Sequence, residues 1–128
     1  PSKVILLIGT NDIQQGFDSE EIISNIEKIL ENIKENRPYA TLYLQSIYPV
    51  VEGEDMVGIR TNQLIYEINQ SLESYCEKQD ITYIDLYPLL LDPESSEDML
   101  EDGYTEDGLH LNDSGYEVVT NEISKYIK

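Results

Sequence analysis

The stretch Val4-Ile5-Leu6-Leu7-Ile8-Gly9-Thr10-Asn11-Asp12 decides how this chain is read. An unbroken aliphatic run bounded by turn residues suits a strand buried on both faces, as parallel sheets provide. Gly9 permits a tight turn at its end, and Asn11 and Asp12 favour a loop there. The reading is a buried strand over 4–8 that delivers a polar turn to its C-terminal end.

The rest of the chain supplies what such a strand needs. Asp18 can cap a helix, with Glu21 three residues on, and Ile22, Ile26, Ile29, Leu30 and Ile33 form one apolar face. Pro38 disfavours helix just before itself and sets an end near Asn36. Thr41–Ile47 reads as a second strand, ending at Tyr48-Pro49. Leu64, Ile65, Ile68, Leu72 and Cys76 mark a second long helix, and Ile81–Leu86 a third strand. From Tyr87 to Gly108 the chain is acidic and irregular, with a helical turn expected near Leu89. A last helix is expected from about Asp113 to Ile127, with Tyr116, Val119, Ile123 and Ile127 inward. Strands alternating with helices of this length predict one α/β domain over 1–128, a parallel sheet flanked by helices.

Bulk composition removes several functions. The 128 residues carry 26 Asp or Glu against 8 Lys or Arg, a net charge of −18. Such a surface repels nucleic acid and anionic membranes, and no apolar run is long enough to span a bilayer. Between Lys78 and Lys125 there are 13 acidic residues and no basic one. A solvated acidic face accounts for this; the stretch 98–107 does not fit a calcium loop, because Leu100 falls where an oxygen ligand belongs. Neither a metal nor an organic cofactor is expected. Cys76 is the only cysteine and lies on the apolar stripe of its helix, so it reads as a buried thiol. One reduced cysteine fits the cytoplasm, which it favours slightly without fixing localisation.

In open α/β sheets, ligands bind beyond the C-terminal ends of the strands. Gly9–Asp12 leaves the first strand at that edge. Asp107-Gly108-Leu109-His110, which holds the only histidine, precedes a helix that must start from the same edge. Histidine as a residue type titrates near neutrality and suits general acid–base work. A carboxylate three residues earlier, Asp107, can reach one ring nitrogen and leave the other facing the cleft. Asn11 offers an amide to a developing oxyanion, while Gly9 and Asp12 shape the supporting turn. Each motif alone also describes an ordinary surface turn; the case rests on both meeting at one rim.

These two blocks carry a family resemblance. Gly9-Thr10-Asn11-Asp12 after its strand resembles the Gly-x-Asn-Asp block of the SGNH hydrolases, also called GDSL lipases or acylhydrolases. Asp107-Gly108-Leu109-His110-Leu111-Asn112 followed by Ser114-Gly115-Tyr116 resembles their final Asp-x-x-His block. The resemblance implies a flavodoxin-like fold of which this chain matches the last three strands. It implies ester hydrolysis through an acyl-enzyme on a small-molecule ester, with His110 as base, Asp107 as its orienting acid and Asn11 in the oxyanion hole.

One element of that pattern is missing. The family's nucleophilic serine lies upstream of the strand that leads into the Gly-x-Asn-Asp block, where this sequence has only Pro1, Ser2 and Lys3. Ser19 reads as a helix start, and Ser46 ends the wrong strand. The expectation is therefore that the nucleophile lies on a missing N-terminal segment, so that the chain alone is inactive. The edge of strand 4–8 would be covered by that segment, by a second chain or by self-association. The alternatives are a non-catalytic acidic α/β interaction domain or a hydrolase remnant. A receiver-like or flavin-binding reading fares worse, since the first loop has no Ser/Thr-rich phosphate cradle.

Overall fold

The computed structural model describes residues 2–127. Its elements are β1 (Lys3–Leu6), α1 (Thr10–Gln14), α2 (Ser19–Asn36), β2 (Thr41–Gln45), α3 (Asn62–Lys78), β3 (Thr82–Ile84) and α4 (Asp113–Ile127), with 3₁₀ turns at Pro88–Leu90 and Asp102–Tyr104. The sheet has the order β1-β2-β3 and both pairings are parallel, with Val4 opposite Leu42, Leu6 opposite Leu44, and Leu44 opposite Tyr83.

The two faces of the sheet are covered by different helices. On one, Ile22, Ile26 and Leu30 of α2 and Ile65, Ile68, Leu72 and Cys76 of α3 form a core with Leu42, Leu44 and Ile47. On the other, Val119 of α4 joins Tyr43, Ile84, Leu86, Leu90, Leu100 and Leu111. Asp18 caps α2 as its sequence position requires, accepting a hydrogen bond from the Glu21 N–H at 2.8 Å. The thiol of Cys76 is fully buried, and burial beside Glu73 pushes its pKa up to about 11. It packs as a small apolar group.

Several expectations change. The strand expected over 4–8 ends at Leu6, and it is not buried on both faces: Ile5 is 36% and Leu7 43% exposed. The reason is the sheet order. β1 pairs only with β2 among the described residues, and the core built by α4 lies over β2 and β3. Ile29, expected inside, is exposed for a related reason. It lines a shallow groove with Val4, Ile33, Asn32, Asn36 and Arg37 along the open side of β1. Tyr116 is exposed too, because it stands in the first turn of α4 at the mouth of a cavity. The segment 10–14, read as a turn, is a short helix; five residues are too few to display helical periodicity.

Candidate active site

The cavity at the C-terminal edge of the sheet has a volume of about 190 Å³ and brings both motifs together. Asn11 and His110 line it beside apolar walls from Leu7, Ile8, Ile47, Leu109 and Leu111, with Tyr48 and Tyr116 at its side. Two segments nearly a hundred residues apart thus share one rim, as the order of strands and helices predicts.

The histidine side of the rim is a closed local network. One oxygen of Asp107, Oδ1, accepts the backbone N–H groups of Leu109 and His110, both at 2.8 Å. The other, Oδ2, lies 2.6 Å from His110 Nδ1. This pairing with the imidazole, reinforced by the His110 and Leu109 amides, holds the Asp107 carboxyl well below the usual carboxylate range. An ionised carboxylate only accepts, so Nδ1 carries the proton and the free Nε2 of the neutral ring is an acceptor. Thr105 closes the loop. Its hydroxyl donates to the His110 carbonyl at 2.7 Å and accepts from Gly108 N–H at 2.9 Å. Gly108 sits at φ +86, where a Cβ would come within 2.9 Å of the Glu54 side chain. Asn112 then caps α4, accepting from Gly115 N–H at 3.0 Å.

The asparagine side is built from distant parts. Gly9 adopts φ +119, and a Cβ there would lie 2.8 Å from Ile47 Cδ1 and 3.2 Å from Ile26 Cδ1. Only glycine fits both the backbone and the space. Asn11 stands in the first turn of α1, with its Oδ1 accepting from Arg60 Nη2 at 3.4 Å. Asp12 is in the same turn but outside the cavity. Its backbone carbonyl, rather than its carboxylate, holds the loop by accepting from Phe17 N–H at 3.3 Å.

Four polar residues that shape this rim were missed in the sequence. Arg60 is 5% exposed, and burial lowers its pKa from the usual guanidinium value. Asn69 of α3 brackets Ile47, accepting from its N–H at 2.8 Å and donating to its carbonyl at 2.9 Å. Asn62 does the same to Val50 at 2.8 and 2.9 Å and also reaches the Asp98 carbonyl. Two side-chain amides thereby stand in for a neighbouring strand and fix the segment that carries Tyr48, whose hydroxyl is pushed up to about 12 by burial and by Tyr116. The fourth is Thr105. The available signals were polar residues on a buried helical stripe, since Asn62 and Asn69 share the face of Ile65, Leu72 and Cys76, and a lone arginine between Arg37 and Lys78.

No serine lines the cavity among the described residues. The Ser46 hydroxyl is fully engaged in the core, accepting from the N–H groups of Leu86 and Tyr87 at 2.9 Å each. It ties the end of β2 to the end of β3. Ser19 opens α2. Among the described residues, no three His, Cys, Asp or Glu side chains group to hold a metal, and no helix is long and apolar enough to cross a membrane.

A parallel sheet flanked by helices, with a carboxylate–imidazole pair and an amide on one rim, defines an α/β protein with a polar site at the C-terminal edge of its sheet. More narrowly, the chain belongs to the GDSL-like lipase/acylhydrolase family, whose model matches residues 1–118. A curated relative, the N-acylneuraminate cytidylyltransferase of Escherichia coli O18:K1:H7, is 34% identical over 98% of this chain and 28% of its own length. The GDSL esterase/lipase WDL1 of Oryza sativa subsp. japonica is 26% identical over the whole chain and 54% of its own length. A solved structure from Streptococcus pneumonia, described provisionally as a platelet activating factor, superposes with a TM-score of 0.90 at 31% identity. That match covers 99% of this chain and 60% of the other. The chain thus spans between about a quarter and three fifths of these proteins.

Proposed function

We propose that this chain supplies the base and part of the oxyanion hole of a carboxylic-ester hydrolase, whose serine nucleophile comes from polypeptide outside these residues. The observation that carries the reading is the 2.6 Å Asp107–His110 pair on a cavity that Asn11 also lines.

In this mechanism the serine attacks the acyl carbonyl while His110 Nε2 takes its proton. Asp107 keeps the ring oriented and stabilises the imidazolium that forms. The Asn11 Nδ2–H group donates to the tetrahedral oxyanion, alongside backbone donors from the missing part. His110 then returns the proton to the leaving alcohol, and water repeats the cycle on the acyl-enzyme. Leu7, Ile8, Ile47, Leu109 and Leu111 form the wall for the acyl group. No cofactor takes part. The name of the bacterial relative makes an O-acylated N-acylneuraminate one substrate to try beside simple esters.

The test is p-nitrophenyl acetate hydrolysis by this chain, with and without the segment that carries the serine. Turnover is expected only with that segment, and only with His110 intact. Equal, His110-dependent turnover by the bare chain would refute the idea of a nucleophile supplied from elsewhere.

A further inference from the structure

Arg60 is a buried cation without an acid beside it. Among the described residues, no carboxylate lies within ion-pair distance, although the chain carries 26 acidic residues. All its hydrogen bonds go to neutral acceptors. Nε donates to the Thr10 carbonyl at 3.0 Å and to Thr10 Oγ1 at 2.9 Å. Nη1 donates to the Met56 and Val57 carbonyls at 3.1 and 3.0 Å, and Nη2 donates to Asn11 Oδ1 at 3.4 Å. Placing a charge there costs free energy that a neutral side chain bridging the same loops would not.

We propose that Arg60 is a positioning residue for Asn11, dictating which end of its amide faces the cavity and strengthening that end as a donor. This rests on the reading of Asn11 as an oxyanion donor. Arginine has five N–H donors and no acceptor, so only the oxygen of the Asn11 amide can face it. The Nδ2 protons are thereby turned away from Arg60, which does not line the cavity, toward the side that does. A free asparagine on a surface turn would present either atom, and its oxygen would repel an oxyanion. A cation on the amide oxygen also draws charge from the nitrogen and makes its N–H groups better donors. The two bonds to Thr10 fix the turn itself, so the grip covers backbone and side chain together. Asn11 is exposed in the rim, and the described residues hold its amide only from behind.

The decisive measurement is made on this chain without any turnover. Side-chain ¹⁵N relaxation of the Asn11 amide is compared with Asn62 and Asn69, each held by three or two backbone partners, and with Asn121 on the surface. Wild-type Asn11 is expected to show an order parameter close to those of Asn62 and Asn69, and to fall toward that of Asn121 in Arg60→Met, with Asn62 and Asn69 unchanged. A mobile Asn11 amide in the wild type, or an unchanged one in Arg60→Met, overturns the proposal. If Arg60→Met fails to fold, the wild-type value and Arg60→Lys decide: a rigid amide that loosens in Arg60→Lys supports it, and a mobile or unchanged one overturns it. In the polypeptide completed with its serine, Arg60→Met is expected to lower kcat about 10- to 100-fold with KM nearly unchanged, Arg60→Lys recovering part of the loss. Absence of any esterase activity in the completed wild type would sink the hydrolase reading and leave the relaxation result standing.

Discussion

The two sides of the rim are made in opposite ways. The loop from Thr105 to Asn112 is nearly self-sufficient: Thr105, Asp107 and His110 satisfy one another within six residues. The turn from Gly9 to Asp12 is closed locally by main-chain bonds alone, such as Ile13 N–H to the Gly9 carbonyl at 3.2 Å and Gln15 N–H to the Asn11 carbonyl at 3.0 Å, and its side chains are held from elsewhere. Its backbone fits against Ile47 and Ile26, and Arg60 holds it from 49 residues away. A motif closed on itself keeps its geometry wherever it is attached. A motif held from outside keeps it only while the rest of the fold is intact.

Substitutions can break this contrast, and the largest effect is expected at His110, the proposed base. In the polypeptide that includes the nucleophile, His110→Ala is expected to lower kcat by on the order of 10⁴-fold, read by ester hydrolysis. Asn11→Ala removes the proposed oxyanion donor and is expected to cost about 10²- to 10³-fold in kcat at similar KM. On the folding side the order reverses. Gly9→Val puts a branched side chain at φ +119 against Ile47 and is expected to destabilise by about 2–4 kcal/mol in urea unfolding. Thr105→Val removes a buried hydroxyl with two main-chain partners and is expected to cost about 1–2 kcal/mol in the same measurement. An equal or larger loss for Thr105→Val would show that the loop depends on the whole fold as much as the turn does.

The smallest effect is one of pH. Asp107 titrates below the usual carboxylate range in the folded chain, chiefly through its bond to His110, so the folded state binds fewer protons there than the unfolded state. Its contribution is complete above the ordinary aspartate range and drains away as pH falls through and below it. Thermal melts of the wild type and Asp107→Asn, run from neutrality down to about pH 2, should therefore converge at the acid end. Curves that stay parallel would show that the pairing does not stabilise the fold.

The same contrast explains what could be read in the sequence. The capped helix at Asp18 and the Asp107–His110 pair announce themselves in short windows and are present in the structure, whereas strand 4–8 is a strand only as far as Leu6, with Ile5 and Leu7 exposed. The joint position of Asn11 and His110 followed from topology alone. Arg60, Asn62 and Asn69 escaped notice because their partners are main-chain groups far along the chain, which no local pattern encodes. Ile29 and Tyr116 are exposed against expectation because helical spacing tells which residues share a face, not whether anything covers that face.

The outer side of β1 has a consequence of its own. Side chains along a strand alternate between the two faces of a sheet, so a strand docking there delivers its terminal residue to one face or the other according to how it aligns. Were the proposed serine-bearing segment to dock there as a strand, a slip of a single position would swing its hydroxyl from the cavity to the opposite surface. The alignment of main-chain atoms along β1 would then act as an on–off determinant of chemistry, which makes β1 a ruler as well as a wall.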